Sequence, residues 1–269
     1  MKDIAFPPAW SPDRTFSDGR IGLRIENTIA TLAIQIPDRH NALDEPATAG
    51  MVEALAAAED GGASALLLTG IGGRAFISGA DLNGFEGPRP TGTDFIDRQR
   101  ILAACSLPTI AVIRGYCIGG GLMTALNCDF RLASTDSSFG IPAAKLGISY
   151  GSDGLRSLVD AVGPARTRRL LYVGDRIDAE TALSWGLVEH LYAPDDLWPA
   201  AMDMARTIAG NAPLSIQATK ETVADILADP DQRDPGRIAE WGARCKDSLD
   251  FREGRDAFRE KRAPRFEGR

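Results

Sequence analysis

The first part of the chain shows alternating apolar and polar positions, followed by a change to helical spacing. Residues 21–25 and 29–36 alternate around Glu26 and Asn27, which is typical of an antiparallel hairpin with one buried face. Apolar residues then recur at helical spacing over residues 45–59, before a pair of glycines. The pattern therefore predicts a hairpin followed by a first helix.

Short, wholly apolar runs in the middle of the chain predict buried strands of a parallel sheet. The runs at residues 65–69 and 109–113 are separated by a helical pattern near residues 93–106. A third unit follows, with a helix at 121–126, a strand at 128–133 and a short strand at 138–139. Strands that alternate with helices indicate the α/β class.

Beyond about residue 155 the spacing is mostly helical, with one predicted strand at residues 187–191. We divide the chain into an irregular arm at residues 1–18, a core at 19–205 and a helical region at 206–269. Because little sheet remains for this last region to cover, we expect it to pack either on other subunits or as a simple cap. The predicted helices are residues 155–162, 164–173, 179–185, 197–209, 213–228 and 237–249.

The composition is that of a globular protein, with 44% hydrophobic and 25% charged residues. No apolar stretch approaches the roughly 18 to 20 residues that cross a bilayer, and prolines interrupt the start, so no signal peptide is predicted. Cys105, Cys117, Cys128 and Cys245 form no C-x-x-C pair, which indicates buried, reduced thiols. We therefore expect a cytoplasmic protein with no membrane partner.

The charge and the histidine count exclude further classes of function. A net charge of −7 argues against general affinity for nucleic acids or anionic membranes. Because His40 and His190 are the only histidines, a histidine-rich metal site is not expected, and a Ser-His-Asp triad would have to use one of them. We expect neither a metal nor a resident cofactor.

Three segments combine glycines with an adjoining apolar strand, at residues 74–81, 115–129 and 139–147. In the second segment, Gly119-Gly120-Gly121 directly precedes a helix, so main-chain amides can face a ligand oxygen that the glycines allow to come close. In the first, Gly79-Ala80-Asp81 offers a further amide. A triple glycine alone is also explained as a tight turn, but the ordered combination favours two amides that stabilise one oxyanion.

These segments resemble the signatures of the crotonase (enoyl-CoA hydratase/isomerase) family, to which residues 20–265 are similar. The resemblance implies a ββα spiral core, a C-terminal helical trimerisation region, and trimers or dimers of trimers. It also implies an acyl-coenzyme A substrate whose thioester oxygen is held by the amides of Ala80 and Gly120. The similar segments are residues 37–43, 76–82, 115–129, 139–147, 162–165 and 253–262.

The resemblance further implies contacts to coenzyme A, which is then part of the substrate. Arg39 and Ala42 would lie beside the adenine and the phosphates, and Leu82 near the pantetheine. Phe258 and Lys261 would come from a neighbouring C-terminal helix. Cations that face phosphates are expected in an otherwise acidic protein. For Arg39 and Lys261 the alternative is a solvated surface charge.

Two positions depart from the family pattern. A hydratase of this kind needs two carboxylates beside the water that is added to the double bond. An alignment without gaps places Met123 and Ala143 where the family has these glutamates. Neither a thioether nor a methyl group transfers a proton at neutral pH. We therefore expect isomerase-like or atypical hydratase chemistry instead of classical hydration.

The loop at residues 149–154 supplies the remaining candidate groups. Asp153 is the best candidate base, although the aspartate of family isomerases aligns with Gly151. The alternative for Asp153 is a helix N-cap. Tyr150 matches a tyrosine of a methylmalonyl-CoA decarboxylase branch, whose partner histidine is replaced here by Ala80.

The sequence thus favours an enzyme that stabilises a thioester enolate and uses one acid for double-bond isomerisation or atypical hydration. The alternative is a protein that binds acyl-CoA without chemistry, which the absence of both glutamates supports. Two minor alternatives are decarboxylation of a malonyl-type CoA and RNA binding, and the acidic charge opposes the latter.

Overall fold

The computed structural model describes residues 6–81 and 101–269, and for Asp153 the main chain only. The described residues form an α/β fold around two β-sheets, one with seven strands and one with four. The predicted α/β class is therefore confirmed.

The large sheet begins as an antiparallel hairpin and continues as a parallel sheet. Its strands are β1 (Arg14–Phe16), β2 (Ile21–Glu26), β3 (Ile29–Ile34), β4 (Ala65–Gly70), β6 (Thr109–Ile113), β8 (Phe130–Ser134) and β11 (His190–Tyr192). They lie side by side in this order. The first three pair antiparallel, and each later strand pairs parallel with the one before it. The predicted hairpin and buried strands are confirmed.

The small sheet contains β5 (Ala75–Ile77), β7 (Tyr116–Ile118), β9 (Ser138–Gly140) and β10 (Ile177–Asp178), in the order β10-β9-β7-β5. Strands β5, β7 and β9 are parallel, and β10 is antiparallel to β9. Each of these three parallel strands directly follows a strand of the large sheet. The repeated step from the large to the small sheet gives the spiral core that the resemblance implied.

Helices surround the sheets and fill the C-terminal part of the chain. Residues 101–104 are helical as well, and the rest of the helix predicted at 93–106 lies largely outside the described residues. The remaining helices are α1 (Glu45–Asp60), α2 (Gly120–Leu126), α3 (Ala143–Leu146), α4 (Ser152–Tyr172), α5 (Ala179–Trp185), α6 (Leu197–Ala209), α7 (Pro213–Leu227), α8 (Pro235–Asp247) and α9 (Leu249–Glu260).

The parallel part of the large sheet is buried on both faces. Leu66 and Leu68 of β4 belong to the main core, which includes the inner face of α1. Ala65 and Leu67 of the same strand belong to a second core beneath α6. Because successive side chains of a strand point to opposite faces, this double burial explains why the apolar runs are uninterrupted.

One predicted helix break is confirmed and one helix boundary is wrong. The helices predicted at residues 155–162 and 164–173 are separated within α4 by Gly163, whose φ of 77° and ψ of 165° are not helical. The helix predicted to reach residue 249 ends at Asp247, and α9 begins separately, where the Ser248 hydroxyl accepts a hydrogen bond from the Phe251 amide at 3.0 Å. The prediction from apolar spacing does not include α9, although the resemblance implies a C-terminal helix near Phe258.

The amino-terminal arm is more ordered than its irregular pattern predicts. It contains β1, and Phe6 within it is only 3% exposed. The Phe6 ring packs edge-on against Trp198 with ring centroids 5.8 Å apart, and the Arg114 guanidinium lies 5.5 Å from its centroid. The domain boundaries near residues 18 and 205 stay predictions. Of the helices described, none is both long enough and apolar enough to cross a membrane.

Candidate active site

Two glycine-rich segments are in contact at one end of the small sheet. A methyl group added at Gly121 would lie 2.1 Å from the carbonyl oxygen of Ile77, the last residue of β5. A methyl group added at Gly79 would lie 3.4 Å from the carbonyl oxygen of Ile118, the last residue of β7. These close approaches place the main chain that contains Ala80 beside the start of α2.

Ala80 is oriented by a short parallel bridge to the loop that follows β3. The Leu43 amide donates to the Gly79 carbonyl at 2.9 Å, and the Asp81 amide donates to the Leu43 carbonyl at 2.9 Å. In a parallel bridge, the two residues that flank the central residue bond the partner strand, and the amide of the central residue points away from that strand. Here the flanking residues are Gly79 and Asp81, and the central residue is Ala80. The Ala80 amide therefore points away from Leu43, towards the side on which α2 lies.

Gly120 is the first residue of α2, and Gly119 is its N-cap with φ 55°. This left-handed backbone favours glycine. The Gly119 amide donates to the Gly140 carbonyl at 2.8 Å, which fixes the turn against β9. Because the first amides of a helix have no acceptor within it, the Gly120 amide points out of the start of α2. The positions of Ala80 and Gly120 on adjoining segments are consistent with the two amides that the sequence predicts. The role of these amides as an oxyanion hole stays a prediction.

Tyr150 lies beside this turn. A methyl group added at Gly119 would lie 3.7 Å from the Tyr150 hydroxyl, and the ring packs against the main core. Burial raises the pKa of Tyr150 above its ordinary value of 10.0. The phenol is therefore protonated at neutral pH and can donate a hydrogen bond or a proton.

Asp153 is the second residue of α4, in its first turn. The N-cap is Gly151, whose φ of −71° and ψ of 169° are extended. The alternative that Asp153 is the N-cap is therefore wrong, because the helix begins at Ser152, three residues before the start at residue 155 that the apolar spacing predicts. A catalytic role for Asp153 stays a prediction.

Met123 and Ala143, which replace the expected glutamates, are both buried, each 6% exposed. Met123 lies on α2, one turn after Gly120, and its amide donates to the Gly119 carbonyl at 3.2 Å. Ala143 begins α3, three residues after Gly140. The described wall next to the turn is therefore apolar at both positions.

Arg39 and Ala42 lie in the loop between β3 and α1. The Arg39 guanidinium bonds Asp81 and also Asp44, the latter at 3.1 Å. Arg39 is therefore an exposed charge that is paired with two carboxylates, and the choice between a site residue and a surface charge stays open. Ala42 is half-buried, and its amide donates to the Arg39 carbonyl at 3.0 Å. Contacts of both residues with coenzyme A stay predictions.

The carboxylates around Arg39 were not among the predicted site residues. Asp44 is the N-cap of α1 and accepts from the Ala47 amide at 2.9 Å. Burial opposes its ionisation, but the Ala47 amide and the Arg20 and Arg39 guanidinium groups lower the pKa of Asp44 below its ordinary value of 3.8. An aspartate directly before a helix signals the N-cap bond, but no local pattern signals the pairing of Asp44 with Arg39.

The remaining predicted contact residues lie apart from the turn in sequence. Phe258 of α9 is 86% exposed, and Lys261 follows α9 in a left-handed conformation with φ 54°. Both residues are exposed, and their contact with the coenzyme A of a neighbouring subunit stays a prediction. Leu82 lies outside the described residues.

Three of the cysteines are poor nucleophiles, and the described part of the chain shows no cluster of metal ligands. Cys105, Cys117 and Cys128 are buried, and burial raises the pKa of all three thiols, which keeps them protonated. In residues 6–81 and 101–269 no group of three potential ligand side chains is placed to hold a metal ion. The expected absence of a metal stays a prediction.

Known proteins are similar in sequence to this chain over most of its length. Residues 24–269 match the family model for enoyl-CoA hydratase/isomerase. The chain is 36% identical over 258 residues to (E)-benzylidenesuccinyl-CoA hydratase of Thauera aromatica, a match that covers 92% of this chain and 99% of that protein. It is 32% identical over 250 residues to crotonyl-CoA hydratase of Syntrophomonas wolfei. This match covers 91% of this chain and 96% of that protein.

Solved structures share the fold as well. An enoyl-CoA hydratase/carnithine racemase of Magnetospirillum magneticum matches with a TM-score of 0.85 at 32% identity, over 93% of this chain and 96% of that chain. Enoyl-CoA hydratase of Bacillus anthracis matches with a TM-score of 0.83 at 27% identity, over 93% of this chain and 100% of that chain. The agreement of the family model, the relatives and the fold shows that this chain belongs to the enoyl-CoA hydratase/isomerase, or crotonase, family of acyl-CoA-processing enzymes.

Proposed function

We propose that this chain is an enzyme that forms an enolate of an acyl-CoA thioester and then shifts a double bond or adds water without a pair of glutamates. The amides of Ala80 and Gly120 form the oxyanion hole in this proposal. One observation carries it: the segments that contain these two residues adjoin, and the Tyr150 hydroxyl lies beside them.

The chemistry follows from where negative charge develops. When a proton leaves the carbon next to a thioester, or when water adds to the double bond, the electron pair moves onto the carbonyl oxygen. Amides already aimed at that oxygen stabilise this charge, each by about 3 kcal/mol of activation free energy. Isomerisation then returns the proton to another carbon, whereas hydration completes the reaction by protonating the α carbon.

Asp153 and Tyr150 differ in what they can contribute. A carboxylate accepts a proton at neutral pH, whereas a phenol with a raised pKa only donates. The first turn of α4 begins two residues after Tyr150, so both residues belong to one short segment. We assign the base to Asp153 and the donor of a hydrogen bond or proton to Tyr150.

The names of the relatives support the hydration route. Both curated relatives described above are named as hydratases of CoA thioesters. Met123 and Ala143 oppose the two-carboxylate form of that reaction, because neither transfers a proton. The proposal therefore combines a hydratase-like scaffold with a single acid-base residue.

Binding without turnover is a second candidate function, and the same two buried apolar residues favour it. In that case the hole holds the thioester oxygen, but no group moves a proton. Decarboxylation of a malonyl-type CoA is a minor candidate that needs the hole and the Tyr150 phenol and no strong base.

A panel of thioesters tests the proposal. Purified protein is incubated with 2-enoyl, 3-enoyl, arylacrylyl and malonyl-type CoA thioesters in heavy water, and deuterium at the α carbon is measured by mass spectrometry. We expect turnover or deuterium uptake with an enoyl substrate, and a loss of about 100-fold or more in Asp153→Asn. Asp160→Asn, an exposed aspartate on the same helix, is the matched control and should leave the rate unchanged.

Each other outcome has a definite meaning. Equal rates in Asp153→Asn and the control would remove Asp153 from the mechanism. Tight acyl-CoA binding by calorimetry without any conversion or deuterium uptake would favour the binding protein. Release of carbon dioxide from the malonyl-type substrate alone would favour the decarboxylase.

Assembly and location complete the proposal. Exposed aromatic rings on α9, Phe251 at 54% and Phe258 at 86%, support association of the C-terminal helices as a trimer or a dimer of trimers. In such an assembly Phe258 and Lys261 reach the coenzyme A of a neighbouring subunit. We propose a cytoplasmic location, because the cysteines have the pattern of reduced thiols.

A further inference from the structure

The Arg39 side chain joins two carboxylates that belong to different parts of the fold. One of its terminal nitrogens bonds Asp81, and the other bonds Asp44 at 3.1 Å. The Asp81 side chain is 6% exposed and that of Asp44 is 16% exposed, whereas Arg39 is 43% exposed. A nearly buried carboxylate, one residue after Ala80, is therefore paired with a more exposed cation.

Asp44 is the fixed end of this link. It caps α1 through the Ala47 amide at 2.9 Å, and the Arg20 guanidinium bonds it at 3.2 Å. Helix α1 in turn buries Met51 and Leu55 in the main core. Through Asp44, Arg39 thus connects Asp81 to a rigid helix.

Main-chain hydrogen bonds align the same two segments. The Ser78 amide donates to the His40 carbonyl at 3.2 Å, and the Leu43 bridge described above flanks Ala80 on both sides. The β5 strand has already ended at Ile77, so sheet pairing no longer orients this stretch. The link through Arg39 lies at the far end of the bridge, directly after Ala80.

We propose that Arg39 is a positioning residue for the oxyanion hole. By holding Asp81 against the start of α1, it keeps the Ala80 amide aimed at the thioester oxygen. This inference rests on the proposed function and gives Arg39 a role that differs from contact with the nucleotide phosphates. Loss of the guanidinium breaks the Arg39 ion pair of a nearly buried carboxylate, so the segment relaxes and the amide turns away.

The two roles of Arg39 predict different kinetics. A positioning residue acts on the reacting carbonyl, so its loss lowers kcat with any thioester. A phosphate contact acts only on the nucleotide, so its loss raises KM for an acyl-CoA and has no effect on the matching acyl-pantetheine. Measuring both substrates therefore separates the two roles.

The experiment uses Arg39→Met, Arg39→Lys and Asp81→Asn in the full chain. We expect Arg39→Met to lower kcat about 100-fold with acyl-CoA and with acyl-pantetheine, with little change in KM, since small misplacement of a catalytic group has an effect of this size. Arg39→Lys should recover part of the rate, because it keeps the charge but not both hydrogen bonds. Arg24→Met, which removes a partly exposed arginine paired with Glu26 at 3.0 Å, is the matched control.

Two measurements do not depend on turnover. The absorbance of a bound arylacrylyl-CoA shifts to longer wavelength when donors polarise its carbonyl, and we expect this shift to decrease in Arg39→Met. Hydrogen exchange of residues 78–81 in the substrate-free protein should become faster in Arg39→Met and in Asp81→Asn. Asp81→Asn keeps the shape of the side chain, so it tests the link even if Arg39→Met does not fold.

Unchanged exchange at residues 78–81 would overturn the inference, and so would a defect confined to the acyl-CoA substrate. Failure of the proposed function looks different, because the wild-type protein itself would then show neither turnover nor a shift in absorbance. In that event hydrogen exchange still decides the matter: faster exchange in the variants supports the link from Arg39 to Ala80, and unchanged exchange removes it.

Discussion

At the scale of single residues, burial sets the protonation of the groups near the glycine turn. It raises the pKa of Tyr150, and it raises the pKa of the Cys117 thiol on the adjoining strand β7. A neutral phenol and a neutral thiol place no negative charge near the position of the proposed enolate. In the proposed mechanism, the Tyr150 hydroxyl therefore supports the charge on the enolate, and the Cys117 thiol does not compete with it.

The Tyr150 pKa makes a prediction about stability at high pH. The pKa is higher in the folded protein, so the unfolded chain loses this proton first. The difference in the free energy of unfolding between the wild type and Tyr150→Phe should be constant below pH 10.0, the ordinary tyrosine pKa. The contribution of Tyr150 to wild-type stability should then be lost as the pH rises through the pKa of the folded protein. Denaturant titrations measure this difference. Tyr172→Phe, whose ring is 72% exposed, is the control, and equal behaviour of the two variants would contradict the assignment.

The sequence predicts single residues only as far as local pattern allows. Gly119, Gly120 and Ala80 stand out because glycines beside an apolar strand form a recognisable order. The link between Arg39 and Asp81 does not stand out, since 42 residues separate them and no local spacing reports a contact of that range. Likewise Tyr150 is recognised by position, but its burial depends on how α3 and α4 pack.

At the scale of elements, the contact between α2 and β5 determines whether the two amides adjoin. Strands β5 and β7 have three residues each, which is too short to show alternation, so the pattern does not predict them as strands. The long strands and α1 are predicted because eight or more regularly spaced positions, or an unbroken apolar run, carry their signal. The site is built from the short elements, and this is why sequence predicts the scaffold better than the crevice.

Gly121→Ala tests this contact. The added methyl group would lie 2.1 Å from the Ile77 carbonyl oxygen, so α2 must move away from β5. We expect a loss of about 1 to 3 kcal/mol in the free energy of unfolding. We also expect a smaller shift to longer wavelength in the absorbance of bound arylacrylyl-CoA. Gly242→Ala is the control, because Gly242 lies inside α8 with nothing within 4 Å of the added atom. It should raise stability by about 0.5 to 1 kcal/mol, and a similar loss in both variants would contradict the argument.

At the scale of the whole molecule, six exposed large apolar side chains among the described residues lie on two C-terminal helices. Exposed apolar surface can mark an interaction site in a protein. In the proposed assembly these side chains form a surface between subunits, which gives the helical region a role beyond covering the core. The members on α7 and α9 are Val223, Ile226, Leu227, Leu249, Phe251 and Phe258.

Charges placed on this surface test the assembly. We expect sedimentation of the wild-type protein to show a trimer or hexamer of the 28.7 kDa chain. The double variant Ile226→Glu, Phe258→Glu should sediment as smaller species, because carboxylates would have to be desolvated at an apolar interface. Thr207→Glu adds a similar charge on an exposed position of α6 and should leave the assembly intact. A monomeric wild-type protein would contradict the proposal.

The order of strands in the large sheet has a consequence for synthesis on the ribosome. Because these strands stand in the sheet in the sequence in which they are translated, each one leaves the exit tunnel when its neighbour is already in place. The nascent chain can thus extend a single growing edge without waiting for a segment that has not yet been made. The residues proposed for the reaction, from Ala80 to Asp153, are therefore made before the last strand, β11, can complete the large sheet.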